Sequence, residues 1–479
     1  MANIIQQKPL YGILPVGQPI MYTISNTSIV TTYFNVKFIA EVYISKTTPP
    51  NMSTVADLVG TFKTTPNNAG VGIFDFNAVI ENHVKADNLS GVSSAYKTAV
   101  VTATSPKIPL HLIDKWSTNT NALAWMTIKF KIEGSLAATD VPSVLSNETT
   151  PTYNNFEIFN GYLKHTDRLL EFQNDFGFNI SIFQPYPISV LAPDKRFLTN
   201  APTTQYANVE DYGTLAILNT EAQVAYIELS YYDSADNLIS LESVSTYISY
   251  SIISQAKYRF LYIGCFPANL HNWSLQFAAA LIKDLSYYTV IAYDSADEQI
   301  TEAVTINVNY CLVVVEGEDP VVTQSKTKDY EPIRLAWLNQ WGAWDYYTFT
   351  LKSTKKLSTK GSTYTQLDGT WNESAFKLNG YKGGKKTFRV NSTEKVTMNT
   401  NFVNEAEGEW FEELINSPEI YILEGFQADP NAPIEMLNTY VTPVRLTTSS
   451  YTRKTVANDI LMQYTFEVEK SKTLRTQAI

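Results

Sequence analysis

The sequence predicts an all-β, mainly β multi-domain chain of β-sandwich or barrel-like domains with a few short accessory helices. Three observations predict it. Apolar and polar residues alternate at period two over residues 34–44 and again over 126–132. The 30 Tyr and 23 Phe, joined by many Val, Ile and Thr, suit half-buried pleated surfaces. Turn signals recur roughly every 8 to 12 residues, the spacing of short strands in sandwiches.

Three blocks follow along the chain. The first, residues 1–150, is an N-terminal β-rich domain. Phe34, Val36, Phe38, Ala40, Val42 and Ile44 form one face of a strand, with Asn35, Lys37, Glu41 and Tyr43 on the other. Met126, Ile128, Phe130 and Ile132 alternate with Thr127, Lys129 and Lys131 in the same way. Between them, residues 78–84 predict a short helix capped near Asn77. The Pro-bounded polar run through Pro151 reads as a linker.

The second block, residues 151–325, is a middle β-rich domain with two similar hairpins. Tyr232-Asp233-Ser234-Ala235-Asp236-Asn237 is nearly repeated as Tyr293-Asp294-Ser295-Ala296-Asp297-Glu298. Each copy follows a β-rich run, and the aspartates are expected to bond their own backbone at the hairpin tips. The third block, residues 326–479, is a C-terminal β-rich domain with one short helix. Asn404 caps that helix, Glu405 and Glu407 suit its positive N-terminus, Trp410, Phe411 and Leu414 line one side, and Ser417-Pro418 ends it.

Composition narrows the function. With 44% hydrophobic and 17% charged residues, the chain is globular, and a lightly charged surface is readily buried against a neighbour. A net charge of −11 argues against a general nucleic-acid coat. Cys265 and Cys311 sit in apolar strand-like runs and are expected as reduced, buried thiols. The N-terminus lacks a basic segment followed by an apolar one, so no signal peptide is expected. No apolar run is long enough for a membrane span.

Chemical motifs are missing. His83, His111, His165 and His271 show no HxxxH spacing, and His111-xx-Asp114 reads as a surface pair, not a metal site. There is no CxxC, no nucleotide-binding glycine motif and no GxSxG elbow, and Gly383-Gly384-Lys385-Lys386 reads as a hairpin turn. No catalytic residue, metal or cofactor is expected. Asp233 with Asp236, and Asp294 with Asp297, have the chemistry for acid/base work or calcium, but the hairpin-tip reading accounts for them. Trp337, Trp341 and Trp344 suggest either a sugar-stacking platform or core packing, and strand alternation cannot place all three on one face.

Charge is unevenly placed. Residues Lys352–Lys395 contain ten Lys or Arg against three Asp or Glu, whereas residues 396–444 contain nine Asp or Glu and no Lys or Arg. Pairing within the domain is one explanation. Head-to-tail association between copies is another, and a basic stretch facing DNA in a lumen is a third.

Several segments resemble virion structural proteins of tailed bacteriophages that infect Bacteroidetes, including crAss-like phages. They are Phe38-Ile39-Ala40-Glu41-Val42-Tyr43-Ile44, Gly60-Thr61-Phe62-Lys63-Thr64-Thr65-Pro66-Asn67, Gly72-Ile73-Phe74-Asp75-Phe76, Trp337-Leu338-Asn339-Gln340-Trp341-Gly342-Ala343-Trp344-Asp345, and residues 412–421. The resemblance implies a tail or neck ring, or a baseplate protein. Such a protein is made in the host cytoplasm, incorporated into the virion, and assembled as a cyclic homo-oligomer beside other tail and neck proteins, away from any membrane. It implies no catalytic residues. The alternatives are a receptor- or glycan-binding tail tip, or a glycan depolymerase. Candidate contact residues are Asp233, Asp236, Asp294 and Asp297 at the hairpin tips, and Lys352, Lys355, Lys356, Lys385, Lys386 and Arg389 in the basic stretch. Glu405, Glu409 and Glu412 on the helix and Arg475 in the tail complete the set, the tail from Ser471 being expected to add a strand to a neighbour's sheet.

Overall fold

A computed structural model describes residues 3–9, 13–46, 50, 55–93, 107–148, 156–162, 197–219, 224–245, 259–271, 273–313, 321–323, 330–370, 373–378, 380–426, 434–448, 450, 452 and 462–475. Strands make up 49% of it and helices 14%, spread over several sheets, so the chain is mainly β with few short helices. It divides into two compact units: residues 1–325 with 338–345 and 426–438, and residues 326–337 with 346–425 and 439–479.

In the first unit a six-stranded sheet is built on the long antiparallel pair Phe34–Ser45 and Leu123–Ser135. Its register sets Phe38 against Ile132, Ala40 against Phe130 and Val42 against Ile128. This apolar face packs on a three-stranded sheet of Ile4–Gln7, Met21–Ser25 and Val71–Asp75, with Tyr22, Ile24, Phe74 and Phe76 filling the space between. Tyr22 and Phe74 lie 5.6 and 5.9 Å from the Phe130 ring, a geometry that aromatic pairs favour.

The alternation at 34–44 holds only in part. Phe34 is exposed, burial begins at Phe38, and Ile39 and Tyr43 on the opposite face are buried as well. On that second face Glu41 pairs with Lys131 instead of facing open solvent. Asn77 is not a cap: it is the first residue of the short helix Asn77–Ile80, and its side chain donates to the carbonyls of Val16 and Gln18. The N-cap position is Phe76, without a side-chain cap, and Asp75 just before it accepts from Asn77 N at 3.1 Å.

The boundary drawn near residue 150 does not separate hydrogen-bonded sheets. Phe156–Phe159 pairs with Leu123–Ser135 and Ile13–Pro15, and Trp116–Thr118 pairs with Arg259–Gly264. A five-stranded sheet then runs Thr204–Asn208, Val304–Asn309, Leu285–Tyr293, Tyr226–Asp233, Leu238–Ser245. The helix Leu275–Ile282, capped by Ser274, lays Phe277 against Tyr231 and Tyr288 of that sheet. Cys265 is a buried, unbridged thiol, and the side chain of Cys311 lies outside the described residues.

The second unit holds most of an eight-stranded sheet in the order Trp344–Phe349, Ile333–Leu338, Ile420–Leu423, Val441–Leu446, Thr465–Lys470, Gly384–Asn399, Thr354–Gln366, with Leu474–Arg475 added beside Gly384–Asn399. One helix, Glu405–Asn416, covers one face. Asn404 caps it, as the sequence predicts, and the Glu407 side chain reaches back to complete a capping box. Phe411 packs among Trp337, Tyr347, Phe349 and Phe466.

Candidate interaction surface

The basic stretch folds into one object. Thr354–Gln366 and Gly384–Asn399 form a long antiparallel hairpin whose base belongs to the sheet. Thr465–Lys470 pairs with residues 395–399, and Leu474–Arg475 with Ser392 and Asn391. Beyond Asn391, among the described residues, Gly384–Val390 has only Thr354–Gln366 as a strand partner, and the outer edge of Thr354–Gln366 has none. The outer half is therefore a two-stranded arm. Ribbons of this kind are marginal in water on their own, and an open edge is a template for pairing.

The arm's two faces differ because directly opposed residues share a face. One face continues the core: Val396 and Met398 are buried at the base, followed outward by Leu357, Val390, Gly361, Thr363 and Thr387, with Lys355, Glu394 and Lys385 on the same face. The other carries Lys356 opposite Lys395, then Lys360, Arg389 and Lys386, with Ser and Thr between them. At the base Lys395 bonds Glu467 at 2.7 Å, which holds that carboxyl below its ordinary value. A bulge at Ser362/Thr363 leaves Phe388 extra and exposed.

The described residues of the tip, 367–370, 373–378 and 380–383, are organised by Thr370. Its Oγ1 accepts from Lys377 N and donates to the Ala375 carbonyl. Gly383, at φ +97°, closes the tip so tightly that a Cβ would meet the Asp368 carboxylate. Around this turn Leu367, Phe376, Leu378 and Tyr381 are between 66% and 77% exposed. Exposed apolar and aromatic groups clustered beside Arg and Lys make a surface suited to contact with another protein.

Of the candidate residues, Lys356, Lys385, Lys386 and Arg389 lie on the arm, and Lys355 bonds Glu331 at the arm's base. Glu405 and Glu409 are exposed on the helix and Glu412 is half-buried. The four hairpin-tip aspartates have structural work. Asp233 Oδ1 accepts from the backbone of Ala235 and Asn237, and Asp294 Oδ1 accepts from that of Ala296 and Glu298. Asp236 and Asp297 accept from the hydroxyls of Tyr287 and Tyr226, both at 3.0 Å. Those tyrosines stack on Tyr232 and Tyr293 at 5.0 and 5.1 Å. The two hairpins are thus neighbours related by a local two-fold through the Leu229/Val290 pair. The near-copy is legible in the sequence, but the pairing that relates the two hairpins is not.

Other expectations change. Leu474–Arg475 pairs with the chain's own Ser392 and Asn391, so this strand is engaged at home; residues 476–479 lie outside the described residues. Trp337, Trp341 and Trp344 are all buried, which removes the sugar-stacking platform. Their environments are particular: Trp337 packs on Trp410, while Trp341 and Trp344 donate to Asn200 Oδ1 and the Asp87 carbonyl. His111 and Asp114 are buried, not a surface pair, and His111 meets the Trp344 ring edge-on. His165 lies outside the described residues. Among the described residues no group of three or more His, Cys, Asp and Glu could hold a metal. No helix there is long and apolar enough to cross a membrane.

Two buried carboxyls are electrostatically unusual. Asp87, beside the Tyr262 hydroxyl, is pushed up to about 6 by burial. Glu157 is pushed up to about 8 by burial alone.

No family model and no curated protein matches the chain. Among solved structures, trypsin-activated alpha-2-macroglobulin from Escherichia coli aligns with 83% of this chain and 40% of its own length, at 8% identity and a TM-score of 0.13. A likeness that low carries no argument.

Proposed function

We propose that this chain is a structural, non-enzymatic assembly protein of a tailed phage particle, built in multiple copies into a tail or neck ring through protein–protein contacts. The observation that carries the assembly reading is the arm: an exposed two-stranded hairpin with an apolar tip and a basic face, anchored in a packed sheet. The phage setting is supported by the segments quoted from the sequence, and the buried tryptophans weigh against the glycan-binding alternative.

Sedimentation velocity over a concentration series tests this, with the full chain beside an arm-shortened variant. Lys360 and Asn391 are register partners, so an Asn-Gly turn can join them and leave the arm's base intact. The full chain should associate with itself or with phage tail components, and the shortened chain should not. A full chain that stays monomeric, binds no particle component and degrades host surface polysaccharide would overturn the proposal.

A further inference from the structure

We infer that the basic face of the arm docks on the acidic outer face of helix Glu405–Asn416 in a second copy of this chain, a head-to-tail contact. The inference rests on the assembly reading above and names the partner.

The first argument is charge. Lys352–Lys395 carries a net +7 in a chain of net −11, so the remainder stands at −18. A second copy is therefore a strongly acidic partner for the arm. The alternative of two arms pairing with each other sets Lys356, Lys360, Lys386 and Arg389 against the same cations, which is unfavourable. This disfavours arm-on-arm pairing and leaves the arm against a different, acidic surface of the second copy; repeated head to tail, such a contact closes into a ring when the rotation allows.

The second argument is placement. The helix covers the face of the sheet that carries Phe466, Val468, Val396 and Met398. Lys395 and Glu467 lie on the opposite face, and Lys356, Lys360, Arg389 and Lys386 continue that opposite face outward, whereas Lys355 and Lys385 lie on the helix side. The basic face of Lys356, Lys360, Arg389 and Lys386 and the acidic helix thus lie on opposite sides of one sheet, which favours their meeting between chains.

The third argument is spacing. Lys360, Arg389 and Lys386 sit at successive same-face positions of the ribbon, so they span roughly 13 Å at about 3.3 Å per residue. Glu405, Glu409 and Glu412 follow one helix face and rise over about 10 Å. The row of cations and the row of carboxylates therefore match in length.

Charge reversal tests it. One variant carries Lys360→Glu with Arg389→Glu, the other Glu405→Lys with Glu409→Lys. Unfolding curves confirm that each is folded, and sedimentation reads association. Each variant alone should associate roughly tenfold more weakly than the natural chain, and an equimolar mixture should recover most of the loss. If the arm variant is weakened while the helix variant is not, or if mixing restores nothing, the partner assignment is overturned although the assembly reading stands. If the natural chain never associates, the assembly reading itself falls. If the natural chain binds duplex DNA and the arm variant does not, while association is unchanged in both variants, the arm serves nucleic acid and the inference is overturned.

Discussion

Glu157 gives the chain a calculable pH dependence. It lies on the strand Phe156–Phe159 opposite Trp125 and Ile13, is 5% exposed, and its Oε2 has no hydrogen-bond partner among the described residues. Burial raises its pKa from 4.5 to about 8. The folded-state value lies above the unfolded one, so folding takes up a proton between these limits. The stability associated with the neutral carboxyl is fully present below 4.5 and is lost as pH rises toward 8. At about 1.4 kcal/mol per pH unit, the loss between roughly pH 5 and pH 7.5 is about 3 kcal/mol. Glu157→Gln keeps the shape and cannot ionise. Urea unfolding of both proteins, followed by tryptophan fluorescence across that range, gives a difference curve in which other titrations cancel. The Gln variant should match the natural chain near pH 5 and exceed it increasingly until about pH 8, where the difference levels off. Parallel curves would refute the reasoning, because they would mean that Glu157 reaches solvent or a partner in the folded chain.

Asn404→Ala removes one half of the capping box and should destabilise the second unit by about 1 kcal/mol, read from its unfolding midpoint. Phe411→Ala empties the aromatic cluster under the helix and should cost about 3 to 5 kcal/mol, visible as loss of cooperative unfolding in that unit. Asp236→Ala and Asp297→Ala each leave a stacked tyrosine hydroxyl without its carboxylate. The local two-fold predicts nearly equal losses under about 1 kcal/mol in thermal unfolding, and a clear inequality would show that the two hairpins are not equivalent.

The sequence and the structure agree where signals are local. Asn404 at the N-cap, Glu407 three residues on, and Pro418 past the end define the helix without tertiary information. The mainly β character follows from alternation at 126–132, where every predicted apolar residue is buried. The pairing of Trp116–Thr118 with Arg259–Gly264 could not be read, because partners so far apart leave no trace in local periodicity. The helix Leu275–Ile282 went unseen because Leu275, Phe277 and a run of alanines show no clear polar face in so short a span.

The arm was half legible. Its charge was plain, but a strand exposed on both faces has no reason to alternate, so Thr354–Gln366 reads as a polar stretch and not as a strand. Its register with Gly384–Asn399 is what gathers Lys356, Lys360, Arg389 and Lys386 on one face. The tip aspartates show the reverse case. The motif was visible twice, yet its use as a tyrosine clamp needed the strand pairing that places Asp236 beside Tyr287 and Asp297 beside Tyr226.

Hydrogen exchange along the arm tests the central claim most directly. Backbone amides of residues 361–366 and 384–390 should exchange rapidly in dilute monomer and become strongly protected when the chain is concentrated or incorporated into particles, while amides of the 396–399 base stay protected throughout. Arm amides that exchange equally fast in the monomer and in the assembled state would contradict the claim that the arm is the docking element.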